Sequence, residues 1–129
     1  MTTRAKTTEG PIKSQDSREI LTKAVLKAAK ILGLNQARIA STLGVREPTV
    51  TRMASGKYLL NPQRKEWELA ALFVRLFRSL DSMFASDRKA KIWLNNANLA
   101  LGDRPIDLLP HTEGLVRVLH YLDAARARI

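Results

Sequence analysis

Between Asn35 and Gly56 the sequence NQARIASTLGVREPTVTRMASG fits two short helices around a single glycine. Asn35 is placed to cap a helix over Gln36–Leu43, Gly44 ends it, and a second helix begins at Arg46 or Glu47 and stops before Gly56. Ala40 supplies the small residue that a close crossing of two helices needs, Gly44 permits the sharp turn, and Val45 and Val50 are predicted to point into the core. Pro48 does not break the second helix if Arg46 caps it, because a first-turn N–H has no partner in the helical ladder. The spacing of Gln36, Ala40, Gly44 and Val50 therefore predicts a helix-turn-helix.

The rest of the chain reads as helix as well. Asp16 and Glu19 match a capping box, followed by Ile20, Ala24, Leu26, Ala28 and Ile31 at helical period and Gly33 as the stop. Asn61-Pro62 is predicted to open a long helix in which Trp67, Leu69, Leu72, Phe73, Leu76, Phe77, Leu80 and Phe84 form a broad apolar face. So wide a face packs against more than one neighbour, which makes this helix a spine between two halves, with a dimer interface as the alternative. Ser86 caps a fifth helix through Asn96. Gly102 and Pro105 set turns around a short helical Ile106–Leu109, and Thr112 caps a last helix carrying Leu115, Val118, Leu119 and Leu122. Strand-like alternations are few and no internal repeat is present. The expected fold is all-α: residues 1–16 a flexible basic leader, 17–60 a helix-turn-helix bundle, 61–86 a connecting amphipathic helix, and 87–129 a small C-terminal helical domain.

Charge decides where to look for partners. The net charge is +10, and residues 1–64 hold 12 basic against 4 acidic residues while residues 65–129 hold 10 against 8. A polyanion is thus the first partner to consider, and it belongs to the first half. On the outward face of the second short helix, Glu47, Thr49, Thr51 and Arg52 are types that reach base edges or phosphates. Arg46 and Lys57 flank them, and Gln36 is placed for a phosphate contact. A solvated surface is the plainer reading of each residue taken singly; their coincidence on one face predicts double-stranded DNA.

Other classes fit poorly. The chain has no cysteine, which excludes disulfides and thiolate metal sites and suits a cytoplasmic setting. Its longest apolar run, Glu68 to Leu80, is interrupted by Arg75 and Arg78, so no membrane span is expected. His111 and His120 are the only histidines, and their nine-residue separation does not put both on one helical face. Without a convergent nucleophile, base or metal cluster we expect neither catalysis nor a cofactor.

The stretch LGLNQARIASTLGVREPTVTRMASGK resembles the Xre-type helix-turn-helix of phage-repressor-like regulators. This implies a homodimer reading a palindromic operator, with Thr49, Thr51 and Arg52 nearest the bases. The later stretch IWLNNANLALGDRPIDLLPHTEGLVRVLHYLDAARARI resembles the C-terminal toxin-binding domain of the Xre/MbcA/ParS antitoxins. There Trp93 and Leu94 read as helix anchors, Gly102 as a turn, Pro105 as a helix start, and Asp107 as a cap or a partner for Arg104.

Together the resemblances imply a type II antitoxin that represses its own operon and silences a RES-domain toxin, an enzyme that degrades NAD⁺ or uses it for ADP-ribosylation. They also imply that the C-terminal segment, with Tyr121, Asp123, Arg126, Arg128 and Ile129, covers the toxin's active site. Arginines suit a cleft that holds a pyrophosphate or carboxylates. The alternative is a stand-alone dimeric regulator whose second half only dimerises or senses a ligand.

Overall fold

The computed structural model describes residues 12–128, and the expected leader up to residue 11 and Ile129 lie outside them. A π-helical turn, Ile12–Ser17, leads into α1 (Arg18–Leu32), followed by α2 (Gln36–Leu43), α3 (Glu47–Ala54) and α4 (Lys65–Met83). The second half holds α5 (Asp87–Asn95), the single turn α6 (Pro105–Leu108) and α7 (Thr112–Ala127). Among the described residues there is no strand, only an isolated bridge between Asn98 and Asp103. None of these helices is long and apolar enough to cross a membrane.

Local chemistry sets most of the boundaries. Asn35 Oδ1 accepts the Arg38 N–H at 2.8 Å and Ser86 Oγ accepts the Lys89 N–H at 3.2 Å, so both caps form as the sequence predicts. Gly44 closes α2 at φ 72°, a left-handed conformation that glycine enters without a Cβ penalty. Pro48 lies in the first turn of α3, after Arg46, where its missing N–H costs no ladder bond.

Four expectations need correcting. Asp16 caps nothing, because the chain is already helical there and enters α1 through Ser17 without a side-chain cap. Asn61-Pro62 does not open α4: Asn61 Oδ1 accepts the Gln63 N–H at 2.9 Å in a local turn, and the helix starts three residues later at Lys65. Thr112 is the first residue of α7 rather than its cap, a position taken by His111. Ile20 stands 68% exposed instead of joining the core. Val45 packs half-buried against the core and Val50 is fully enclosed, as the sequence predicts.

The core is one continuous apolar cluster that runs from Val25 in α1 to Leu122 in α7. Its centre is α4, which packs against α1, α2, α5 and α7 and buries Phe73, Leu76 and Leu80. Each such side chain contributes about 1.5–3 kcal/mol relative to exposure. The expected spine is therefore present, and the two halves share a core instead of forming two beads on a string.

Polar contacts fix how the halves meet. Arg104 holds Asp107 with two bonds of 2.8 and 3.0 Å, the pairing anticipated from sequence. Arg38, on α2, reaches across to the same carboxylate at 3.0 Å and to the Ile106 carbonyl at 3.0 Å. The hydrogen bonds from Arg104 and then Arg38 hold the Asp107 carboxyl below the usual carboxylate range. At the other end of α6, a Cβ on Gly114 would collide with the Leu108 carbonyl oxygen, so only glycine lets α7 start this close.

Two outcomes follow. Gly114→Ala is expected to cost about 2 kcal/mol by forcing α6 and α7 apart, read as a lower midpoint in denaturant; an unchanged midpoint would contradict the close approach. Because the folded-state pKa of Asp107 is depressed, its contribution is present above the unfolded value of about 3.9 and is lost as pH falls through the folded value. Asp107→Asn should thus lose up to about 1 kcal/mol at neutral pH and show a flatter stability profile than wild type below about pH 4.

Candidate functional site

The outward face of the helix-turn-helix is built from α2 and α3. Gln36 Nε2 donates to Thr51 Oγ1 at 2.9 Å, which ties the start of α2 to the middle of α3. Thr51 Oγ1 in turn reaches the Glu47 carbonyl at 3.4 Å. Arg52 donates to Thr49 Oγ1 at 3.4 Å and lies 6.0 Å from the centre of the Tyr58 ring. Arg46, Glu47 and Lys57 are exposed around this group. Of the seven residues expected at DNA, Gln36 opens α2, Glu47, Thr49, Thr51 and Arg52 lie on α3, Arg46 precedes it and Lys57 follows it; Thr49 is half-buried and the other six are exposed.

Beside this face is an open cleft of about 380 Å³ between the starts of α3 and α4, lined by Arg46, Thr49, Arg52, Tyr58, Arg64 and Lys65. The sequence reading missed Arg64 and Lys65 because it placed them inside a helix that in fact begins there. Glu66, buried at its inner edge, accepts the Tyr58 hydroxyl at 2.6 Å and the Asn61 N–H at 2.9 Å. Burial first, and then the Glu66 carboxylate, push the Tyr58 phenol above its ordinary range. Arg18 holds the other side of this loop through the Leu60 and Leu59 carbonyls at 2.8 and 2.9 Å. The cleft is cationic on its outer wall and pinned from within, a combination suited to a phosphate oxygen.

In the second half, Trp93 is half-buried between Phe84 and Tyr121, with ring centres at 6.1 and 6.0 Å. Tyr121 therefore stacks inside the fold. Asp123 accepts from Arg75 on α4 at 2.6 Å, and Arg126 donates to the buried Ser79 Oγ at 2.9 Å. Of the five residues expected at the toxin, three lie against α4 or α5. Arg128 is exposed beyond the last helical residue, and Ile129 lies outside the described residues. Helical period shows which face of α7 is apolar, but not that its polar edge would meet α4, so Arg75 and Ser79 were missed.

Comparison with known proteins gives these halves their names. Residues 11–75 match the family model described as the antitoxin Xre-like helix-turn-helix domain. Residues 79–128 match the antitoxin Xre/MbcA/ParS C-terminal toxin-binding domain. The first match covers the π-helical turn and α4 as far as residue 75. No curated protein matches the chain by sequence. Among solved structures, a chain in the crystal structure of the M. tuberculosis MbcT-MbcA toxin-antitoxin complex superposes with a TM-score of 0.60 at 24% identity, covering 81% of this chain and 92% of that one. At that identity the likeness speaks for the fold. The two family models, in this order and covering nearly all described residues, show that the chain belongs to the Xre/MbcA/ParS antitoxin family, with a helix-turn-helix followed by a toxin-binding domain.

Proposed function

We propose that this antitoxin neutralises a RES-domain toxin acting on NAD⁺, covers the toxin's active site with its C-terminal segment, and represses their shared operon as a homodimer. The observation that carries the reading is the division of surfaces: the outward polar face of α2 and α3 and the exposed end of α7 belong to different halves of one core. One chain thereby offers a duplex and a protein two separate contacts.

For DNA, the supporting features are Thr49, Thr51 and Arg52 on an eight-residue helix, Arg46 at its N-cap, and Arg64 and Lys65 beside it. A helix of that length is roughly 12 Å long and reaches only a few base pairs, so useful affinity calls for two copies on a palindrome. Thr49 and Arg52 are assigned to base edges, and Gln36, Arg46 and Lys57 to phosphates. Glu47 is suited to a cytosine amino group.

For the toxin, the pairing of Asp123 with Arg75 and of Arg126 with Ser79 narrows the expected role of each residue. Tyr121, Asp123 and Arg126 seat α7 on the fold and aim its end. Arg128 and Ile129 are then the residues that enter the cleft, with the guanidinium opposite carboxylates that serve the dinucleotide.

Two experiments check the two surfaces. Arg52→Ala should weaken binding to a duplex from the chain's own promoter region by about 10- to 100-fold. Wild-type affinity should also fall steeply with salt as phosphate contacts release counterions; a flat salt response would contradict the DNA assignment. Deleting residues 127–129 should leave folding and DNA binding intact yet abolish protection of cells that express the toxin. Full protection by the shortened chain would remove the active-site role of the tail.

A further inference from the structure

Among the described residues three large apolar side chains stand in solvent: Ile20 at 68%, Ile92 at 47% and Leu99 at 102% exposure. A single exposed leucine is unremarkable on a protein surface. Ile92, however, lines a groove, and Leu99 follows one of the lining residues in the chain. The groove, of about 330 Å³, is open and runs along α5, lined by Phe84, Lys89, Ile92, Trp93 and Asn98.

The turn that carries Leu99 is held firmly. The Asn98 N–H donates to the Asp103 carbonyl at 3.1 Å, and the Gly102 N–H donates to the Asn98 carbonyl at 2.8 Å. The Leu101 N–H donates to Asn98 Oδ1 at 3.1 Å, and the Leu101 side chain is buried as the foot of the turn. Leu99 is thus held out at the tip. The wall beside it is stiff as well, since Trp93 is packed between Phe84 and Tyr121. An apolar surface ordered before binding loses little entropy on docking, and aromatic-walled pockets are where binding energy concentrates.

Two features identify the occupant. The groove and the turn fall wholly within residues 79–128, matched by the toxin-binding family model. Trp93, a wall of the groove, also stacks on Tyr121 of α7, the helix whose end is the proposed active-site segment. We infer that Ile92, Leu99 and the Trp93 groove anchor the toxin, which offers them an apolar side chain with a carboxylate opposite Lys89. Anchoring by this surface and closure of the active site by the end of α7 are separate functions. The inference rests on the antitoxin reading above.

The test uses the full chain and the purified RES-domain protein of the adjoining reading frame. The double variant Ile92→Ser, Leu99→Ser changes only surface side chains, so its thermal unfolding and promoter binding should match wild type. Its affinity for the toxin should fall about 100-fold, mostly through faster dissociation. Leu99→Met, which keeps an apolar tip, should bind as wild type does, and the chain lacking residues 127–129 should still bind while failing to inhibit. Undiminished binding by the double variant overturns the inference, as does an equal loss in Leu99→Met. Conversion of a dimer to a monomer with toxin affinity unchanged assigns the groove to a second copy and overturns it too. If wild type itself does not bind the RES-domain protein, the antitoxin reading fails and the anchor fails with it.

Discussion

Phe73, Leu76 and Leu80 lie out of water on α4, and helices from both halves of the chain are needed to keep them there. With each worth about 1.5–3 kcal/mol, neither half can leave without exposing a large fraction of the stability of a chain this size. The protein is therefore expected to unfold as one unit although it matches two family models. A disturbance at one surface acts on the same core as a disturbance at the other.

Ion pairs determine orientation on that core more than they determine stability. Arg38 joins α2 to Asp107, and Arg75 joins α4 to Asp123 in α7. Partly exposed pairs of this kind contribute about 1 kcal/mol or less each, but they select one docking angle among those the apolar surfaces would permit. Their use inside the fold also removes four charges from the set open to partners. On the first half the exposed cations that remain near α3 include Arg46, Arg52 and Lys57.

The fold was legible in the sequence wherever the determinant was local. Asn35, Gly44, Pro48 and Ser86 act within a few residues of themselves, and the structure uses each as its chemistry predicts. Asn61 shows the limit of that logic. Its side chain prefers a cap or a turn, and the choice went to the turn, where Glu66 holds the Asn61 N–H from the following helix. Ile20 fits the helical period but faces solvent, because period fixes a stripe and not how far a neighbour extends along it.

The candidate sites were legible in part for the same reason. Six of the seven residues expected at DNA are exposed, and all seven lie on α2, on α3 or within three residues of an end of α3, where short-range geometry places them. The C-terminal set was harder to read. Arg75 and Asp123 lie 48 positions apart, and Arg38 and Asp107 lie 69 apart, so no spacing rule joins them. Gly114 carried no explanation until α6 was seen to press on it.

On the proposed reading, one chain holds a toxin and reads DNA at the same time, through different halves of one core. The most direct test of that reading is co-expression with the adjoining reading frame, purification through the antitoxin, and native mass measurement with and without promoter duplex. A stable complex of antitoxin and RES-domain protein that takes up the duplex as a further mass is expected. An antitoxin recovered alone, beside an uninhibited RES-domain protein, would contradict it.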